Sequence, residues 1–258
     1  MKIIVLVKEV PDTYGARKLS LETGLTDRSS SDSVMDEISE RALEVALRFA
    51  DTGVGSEVVA MLMGPETASA SLRKALAMGA TSAVHIADEA LVGADLGLTA
   101  EVLASSIKRA GFDLVVAGNQ STDGAGGVLP AMIAELLGVP QATALVSVQI
   151  DESKIAGQRA TEFGVAQVSA QLPAVISITE SMPEARFPGL KGIREAKRKP
   201  YETLSLADLD VDIDPTKTPR SIMIAANEKP ARGAGVKIVD DGDAGLKLAD
   251  FLLQNRLA

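Results

Sequence analysis

DLVVAGNQSTDGAGGVLPAM, residues 113–132, reads as a buried strand, a glycine-rich turn and the start of a helix. Its opening run of Leu, Val and Ala suits a strand covered on both faces. Gly118, Gly124, Gly126 and Gly127 punctuate the turn before apolar residues resume at Val128 and Leu129. Such a turn frees backbone N–H groups to face a ligand, and the helix behind it adds the positive end of its dipole, so the geometry suits a phosphate or pyrophosphate. The glycine spacing is not that of the dinucleotide-binding turn, and no Gly-Lys-Ser/Thr follows as in a Walker loop. Asn119, Gln120, Ser121, Thr122, Asp123 and Ala125 complete the turn. Its polar side chains can hydrogen-bond a ribose or a phosphate, and can equally cap their own backbone.

Upstream, apolar runs at 3–7, 57–63 and 83–87 alternate with helical stripes. These are Ile38, Ala42, Val45 and Phe49, then Ala68, Leu72, Ala75 and Leu76, then Ala100, Leu103, Ala104 and Ile107. The alternation predicts parallel strands joined by crossover helices, and Asp36 stands where it would cap the first of them. Downstream, a helical pattern at 128–137 gives way to alternation at Val146, Val148 and Ile150, a DESK turn, and alternation again over 167–171. That rhythm predicts an antiparallel extension. Residues 172–178 read as a further buried strand, with Pro173 tolerated at its start. Beyond Pro200 the pattern loosens: LADLDVDIDPTKTP at 206–219 is acidic and proline-punctuated, and a final helix is predicted near 244–256. The expected architecture is α/β and Rossmann-like, a mostly parallel sheet flanked by helices with an antiparallel extension and an extended C-terminal arm. Its expected divisions are a domain at 1–200 and an arm at 201–258.

With 258 residues the chain can bury a full core without cross-links. It has no cysteine, which removes disulfides, Cys-zinc sites, thiolate nucleophiles and iron–sulfur ligation together, and is compatible with a cytoplasmic protein. The opening MKIIVLVKEVPD places one lysine before only five apolar residues, too short for a signal h-region or a membrane span. A net charge of -9, 3% aromatic residues and no Trp argue against a nucleic-acid surface. One segment departs from this balance, with Arg186, Lys191, Arg194, Lys197, Arg198 and Lys199 set against Glu195. Phe187 and Leu190 lie beside it in a Pro/Gly loop, and apolar anchors with a charged rim favour a protein partner over a merely solvated helix face. The lone His85, in an apolar strand, reads as a core residue. No Ser-His-Asp triad beyond His85 and no His-rich metal cluster can be assembled, so no catalytic residue and no metal ligand is predicted.

IVLVKEVPD (4–12), MDEISERALEVAL (35–47), MGPETASASLRKALAMGA (63–80), AGNQSTDGAGGVLPAMIAELLG (117–138), LPAVISITESMPEARFPGLKGIREAKRK (172–199) and AGVKI (234–238) occur in that order. Together they resemble the β subunits of electron transfer flavoproteins, with wording closest to actinobacterial members. The resemblance implies a heterodimer whose larger α subunit holds most of one FAD, while β supplies an adenine-nucleotide-hydrolase-like domain that buries a structural AMP. Matched by motif, the AMP contacts fall at Leu6, at Asp36, Glu37, Ile38 and Ser39, at Met63, and along the whole turn from Gly118 to Leu129. The resemblance also makes the FPGLKG loop a docking loop for acyl-CoA dehydrogenases, with Leu190 as its plug and Lys197, Arg198 and Lys199 matching a basic run.

The implied function is electron carriage from acyl-CoA dehydrogenases through FAD to a membrane quinone oxidoreductase. Two rivals are a bifurcating complex with a second FAD in place of AMP, and a stand-alone adenine-nucleotide module. The chain departs from the family pattern in several places. Asp36-Glu37 replaces a common Asn-Pro pair, so a carboxylate stands near the nucleotide, repulsive toward phosphate but acceptable against ribose hydroxyls or a helix N-terminus. Glycines replace an acidic stretch in the phosphate loop, which implies more reliance on backbone N–H donors. Either Thr13 or Tyr14 occupies the region that can approach the flavin.

Overall fold

The structure is a computed structural model that describes residues 1–53, 55–212 and 221–257. The chain opens with β1 (Lys2–Leu6), the short strands β2 (Glu9–Pro11) and β3 (Ser33–Met35), and the helix α1 (Glu37–Ala50). Strands and helices then alternate as β4 (Glu57–Met63), α2 (Ser69–Met78), β5 (Ser82–Ile86), α3 (Leu96–Ala110), β6 (Leu114–Gly118) and α4 (Leu129–Leu137). A meander of β7 (Gln141–Ile150), β8 (Lys154–Thr161) and β9 (Gly164–Gln171) leads back to β10 (Ala174–Ile178), α5 (Leu190–Ala196) and β11 (Tyr201–Leu204). The last helix is α6 (Ala244–Gln254).

One nine-stranded sheet runs β11-β5-β4-β1-β6-β10-β7-β8-β9. Every pairing from β11 to β7 is parallel, and the β7–β8 and β8–β9 pairings are antiparallel. The strands of the parallel part are apolar on both faces because helices cover both. Ile3 and Val5 of β1 pack with Leu43, Leu47, Leu72 and Leu76 of α1 and α2. Ile4 and Leu6, pointing the other way, pack with Val102, Ile107 and Ile133 of α3 and α4. The expected α/β architecture with its antiparallel part is therefore present.

Four strands had no clear signal in the sequence: the short β2 and β3, and β8 and β11. In β8 only Ile155 and Gly157 are buried, so its residues show little apolar alternation, and its place comes from pairing along β7 and β9. A Cβ on Gly157 would lie 2.4 Å from the Ser147 carbonyl oxygen, so the strand also depends on a residue without a side chain. The polar strand β11 adds to the edge of the sheet by pairing with β5 over Tyr201 to Leu204.

The chain divides into two compact units, residues 1–225 and 226–258. The second holds α6, whose Leu246, Leu248 and Leu253 are exposed. Part of the acidic stretch 206–219 lies outside the described residues. Among the described residues no helix is long and apolar enough to cross a membrane.

Candidate functional site

The order of the sheet reverses at β1: β4, β5 and β11 lie on one side of it and β6, β10 and β7 on the other. In parallel α/β sheets the crevice outside the carboxyl ends at such a switch point is where ligands bind. Leu6 and Gly118 are the last residues of the two strands that flank it, and Met63 ends the next strand over. The turn from Gly118 to Val128 lies at this crevice, and α4 leads away from it.

The first half of the turn is tied down. The Asn119 N–H donates to the Ile178 carbonyl (2.8 Å) and the Ala125 N–H to that of Ser121 (3.0 Å). The Gly124 N–H donates to Asp123 Oδ1 (2.6 Å). The second half is not tied, since no hydrogen bond within the described residues takes the N–H of Gly126, Gly127 or Val128. Ala125 (φ 47°) and Gly127 (φ 68°) adopt the left-handed conformation there. Behind them α4 starts at Leu129 with no side-chain cap and no acidic residue in its first turn. Its positive end is left for a ligand.

Asp36 is buried at the N-terminus of α1. Its Oδ1 accepts the N–H groups of Ile38 (3.0 Å) and Ser39 (3.2 Å), and its Oδ2 accepts that of Thr122 (2.7 Å). The helix N-terminus role of this carboxylate is filled, and the same group fastens α1 to the turn. Ile38 also presses on Gly118, where an added Cβ would lie 3.0 Å from Ile38 Cγ2. Two buried side-chain oxygens of the turn, Asn119 Oδ1 and Thr122 Oγ1, have no hydrogen-bond partner. Unpaired buried acceptors are costly, and ribose hydroxyls or an adenine amino group would satisfy them. Glu37 and Gln120 are exposed at the rim.

The structure adds three residues that sequence reasoning missed. Lys8 Nζ donates to Asp123 Oδ1 (2.7 Å) and to Ser121 Oγ (3.2 Å). Arg28 Nη2 lies 3.8 Å from Asp123 Oδ2, and Arg17 donates to the Thr122 carbonyl. Burial alone would raise the Asp123 carboxyl, but the Lys8 ammonium, the Ser121 hydroxyl and the Gly124 N–H hold it below the usual carboxylate range. A signal for Lys8 existed: it stands two residues past the end of the central strand, on the side where such folds bind ligands.

The candidate partner surface is mounted elsewhere, on α2. A Cβ on Gly192 would lie 2.2 Å from the Ala77 carbonyl oxygen, so α5 and α2 approach closely there. Arg73 donates to the Ala196 carbonyl (3.2 Å). Phe187 (91% exposed) and Leu190 (77%) project from this support. Lys191, Arg194, Lys197 and Arg198 are exposed around them.

Two members of the basic run are internal ties. Lys199 donates to the carbonyls of Leu76 (2.8 Å) and Ala80 (2.7 Å), and burial pulls its ammonium below the usual lysine value. Arg186 forks onto Glu44 (2.7 and 3.3 Å) and reaches Asp51 (2.8 Å). His85 is buried between the Gly64 carbonyl (3.1 Å) and the Tyr201 hydroxyl (3.0 Å), a core position. Thr13 and Tyr14 are both exposed on the segment joining β2 to β3.

The family model of the electron transfer flavoprotein domain matches residues 23–209. The chain is 43% identical to the electron transfer flavoprotein subunit beta of Mycobacterium leprae, over 99% of this chain and 98% of that protein. It is 44% identical, with the same coverage, to the protein of that name from Mycobacterium tuberculosis. A more distant relative, at 33% identity over 92% of each chain, is the caffeyl-CoA reductase-Etf complex subunit CarD of Acetobacterium woodii.

Proposed function

The chain belongs to the electron transfer flavoprotein family, and from that premise we propose that it is the β subunit of a heterodimeric carrier that stores an AMP at the turn 118–129. The observation that carries the AMP reading is the pairing, at the switch point of the sheet, of untied N–H groups with the orphaned oxygens of Asn119 and Thr122. The N–H groups from Gly126 to Leu129 would hold the phosphate, and the two oxygens would take the ribose or base. No general acid or base is needed at such a site, because the nucleotide is held and not turned over.

FAD, carried mainly by the α subunit, supplies the one-electron chemistry, and the protein contributes binding and orientation. Electrons would arrive from acyl-CoA dehydrogenases that dock on Phe187 and Leu190, with the surrounding cations steering the encounter. They would leave to a membrane quinone oxidoreductase. In this reading the heterodimer works in the cytoplasm, and residues 201–258 pack on the α subunit.

The likeness to a reductase–Etf complex subunit favours one rival, with a second FAD where AMP would sit. The nucleotides released from the heterodimer decide between them. One FAD and one AMP per heterodimer is the expected result, and two FAD would replace this reading with the rival.

A further inference from the structure

Three cations converge on residues 121–123 in a chain whose net charge is -9. The carboxylate shared by Lys8 and Arg28 is that of Asp123, while Asp36, the other carboxylate at the turn, faces backbone N–H groups. Lys8 is fixed in place. The Asp123 side chain that grips it is only 5% exposed, and a Cβ on Gly124 would lie 3.8 Å from Lys8 Nζ, so the ammonium stands over the backbone of the turn. An ammonium has three donors. Two go to Asp123 and Ser121, and the side chain is still 41% exposed.

We propose that Lys8, positioned by Asp123 and backed by Arg28, reads the phosphate of the bound nucleotide, so that the turn selects a nucleoside monophosphate over the bare nucleoside. The inference rests on the nucleotide reading above and deepens it. The orphaned oxygens of Asn119 and Thr122 serve a ribose or base whether or not a phosphate is attached, so they cannot discriminate. Untied N–H groups contribute some preference for an anion. A positioned ammonium contributes more, because it adds a full opposite charge to the hydrogen bond that a neutral N–H also makes with the phosphate.

The test uses the full-length chain co-purified with its α partner, stripped of nucleotide and titrated with AMP and with adenosine. The wild type should bind AMP more tightly than adenosine by roughly tenfold or more. Lys8→Met should shrink that gap to about threefold or less with adenosine affinity unchanged, and Lys8→Arg should keep most of it. Asp123→Asn should fall between, because its lysine is retained but no longer anchored. Should Lys8→Met fail to fold, Lys8→Gln carries the same comparison. Equal weakening toward AMP and adenosine, or an unchanged gap, would overturn the role of Lys8 while leaving the nucleotide site standing. A wild type that binds neither compound removes the nucleotide reading itself, and this inference with it.

Discussion

Asp36 joins two segments that are 86 residues apart, because one oxygen caps α1 and the other accepts the Thr122 N–H. Asp36→Ala removes a cap and orphans a buried donor, so stability should fall by about 2–3 kcal/mol, read from the urea midpoint. Asp36→Asn keeps an oxygen for the cap but can turn an amide donor toward Thr122, and should recover only part of that loss. Asp123 and Glu44 predict a pH effect. Each is held below its usual pKa against the opposing pull of burial, Asp123 by Lys8 and Ser121, Glu44 by Arg186 and Arg48. A carboxylate depressed in the folded state stabilises fully above its unfolded value, about 3.9 for Asp and 4.3 for Glu, and loses that contribution as the pH falls through the lower folded value. Unfolding free energy measured on the acid side of those values should therefore fall less steeply in Asp123→Asn and Glu44→Gln than in the wild type.

At the scale of elements, the loop proposed to dock the dehydrogenase is supported by close packing and by few side chains of its own. Arg186 anchors its entry to α1, Lys199 anchors its exit to the end of α2, and Gly192 lets α5 meet α2. Gly192→Ala would drive a methyl into the Ala77 carbonyl and should cost about 1–3 kcal/mol by overpacking. Gly189→Ala, where an added Cβ meets nothing within 4 Å, is the matched control. Leu190→Ala should leave thermal stability within about 0.5 kcal/mol, as expected for an exposed side chain. The same variant should abolish electron transfer from the dehydrogenase while flavin content stays intact. Unchanged transfer would count against docking at this loop.

Across the whole molecule, residues 1–225 bury apolar surface on both faces of the sheet, whereas residues 226–258 form a unit whose helix leaves Leu246, Leu248 and Leu253 exposed. An amphipathic helix with uncovered leucines calls for a partner surface. Deleting residues 241–258 should abolish co-purification with the α subunit while the far-ultraviolet spectrum keeps its α/β character. Much of the fold is legible in local periodicity. The strand at 57–63 and the stripes of α1 to α4 follow from spacing alone, and so do the Asp36 cap and the glycine turn, because each rests on residues within a few positions of one another. Strand β8 is silent because its residues pair with neighbours and bury little, and no local pattern announces that β10 enters between β6 and β7. The cations at the turn were only partly in view: Lys8 stands just past the central strand, but its partner Asp123 lies 115 residues further along the chain. The same holds for Arg186 and Lys199, which composition alone placed with the exposed basic run. The sequence by itself thus determined the helices and most strands of the parallel part, that a glycine turn follows β6, and which family the chain resembles. Only the tertiary structure decided which charges face that turn and which are used up internally, because such pairings arise when two distant segments are brought to the same end of one buried sheet.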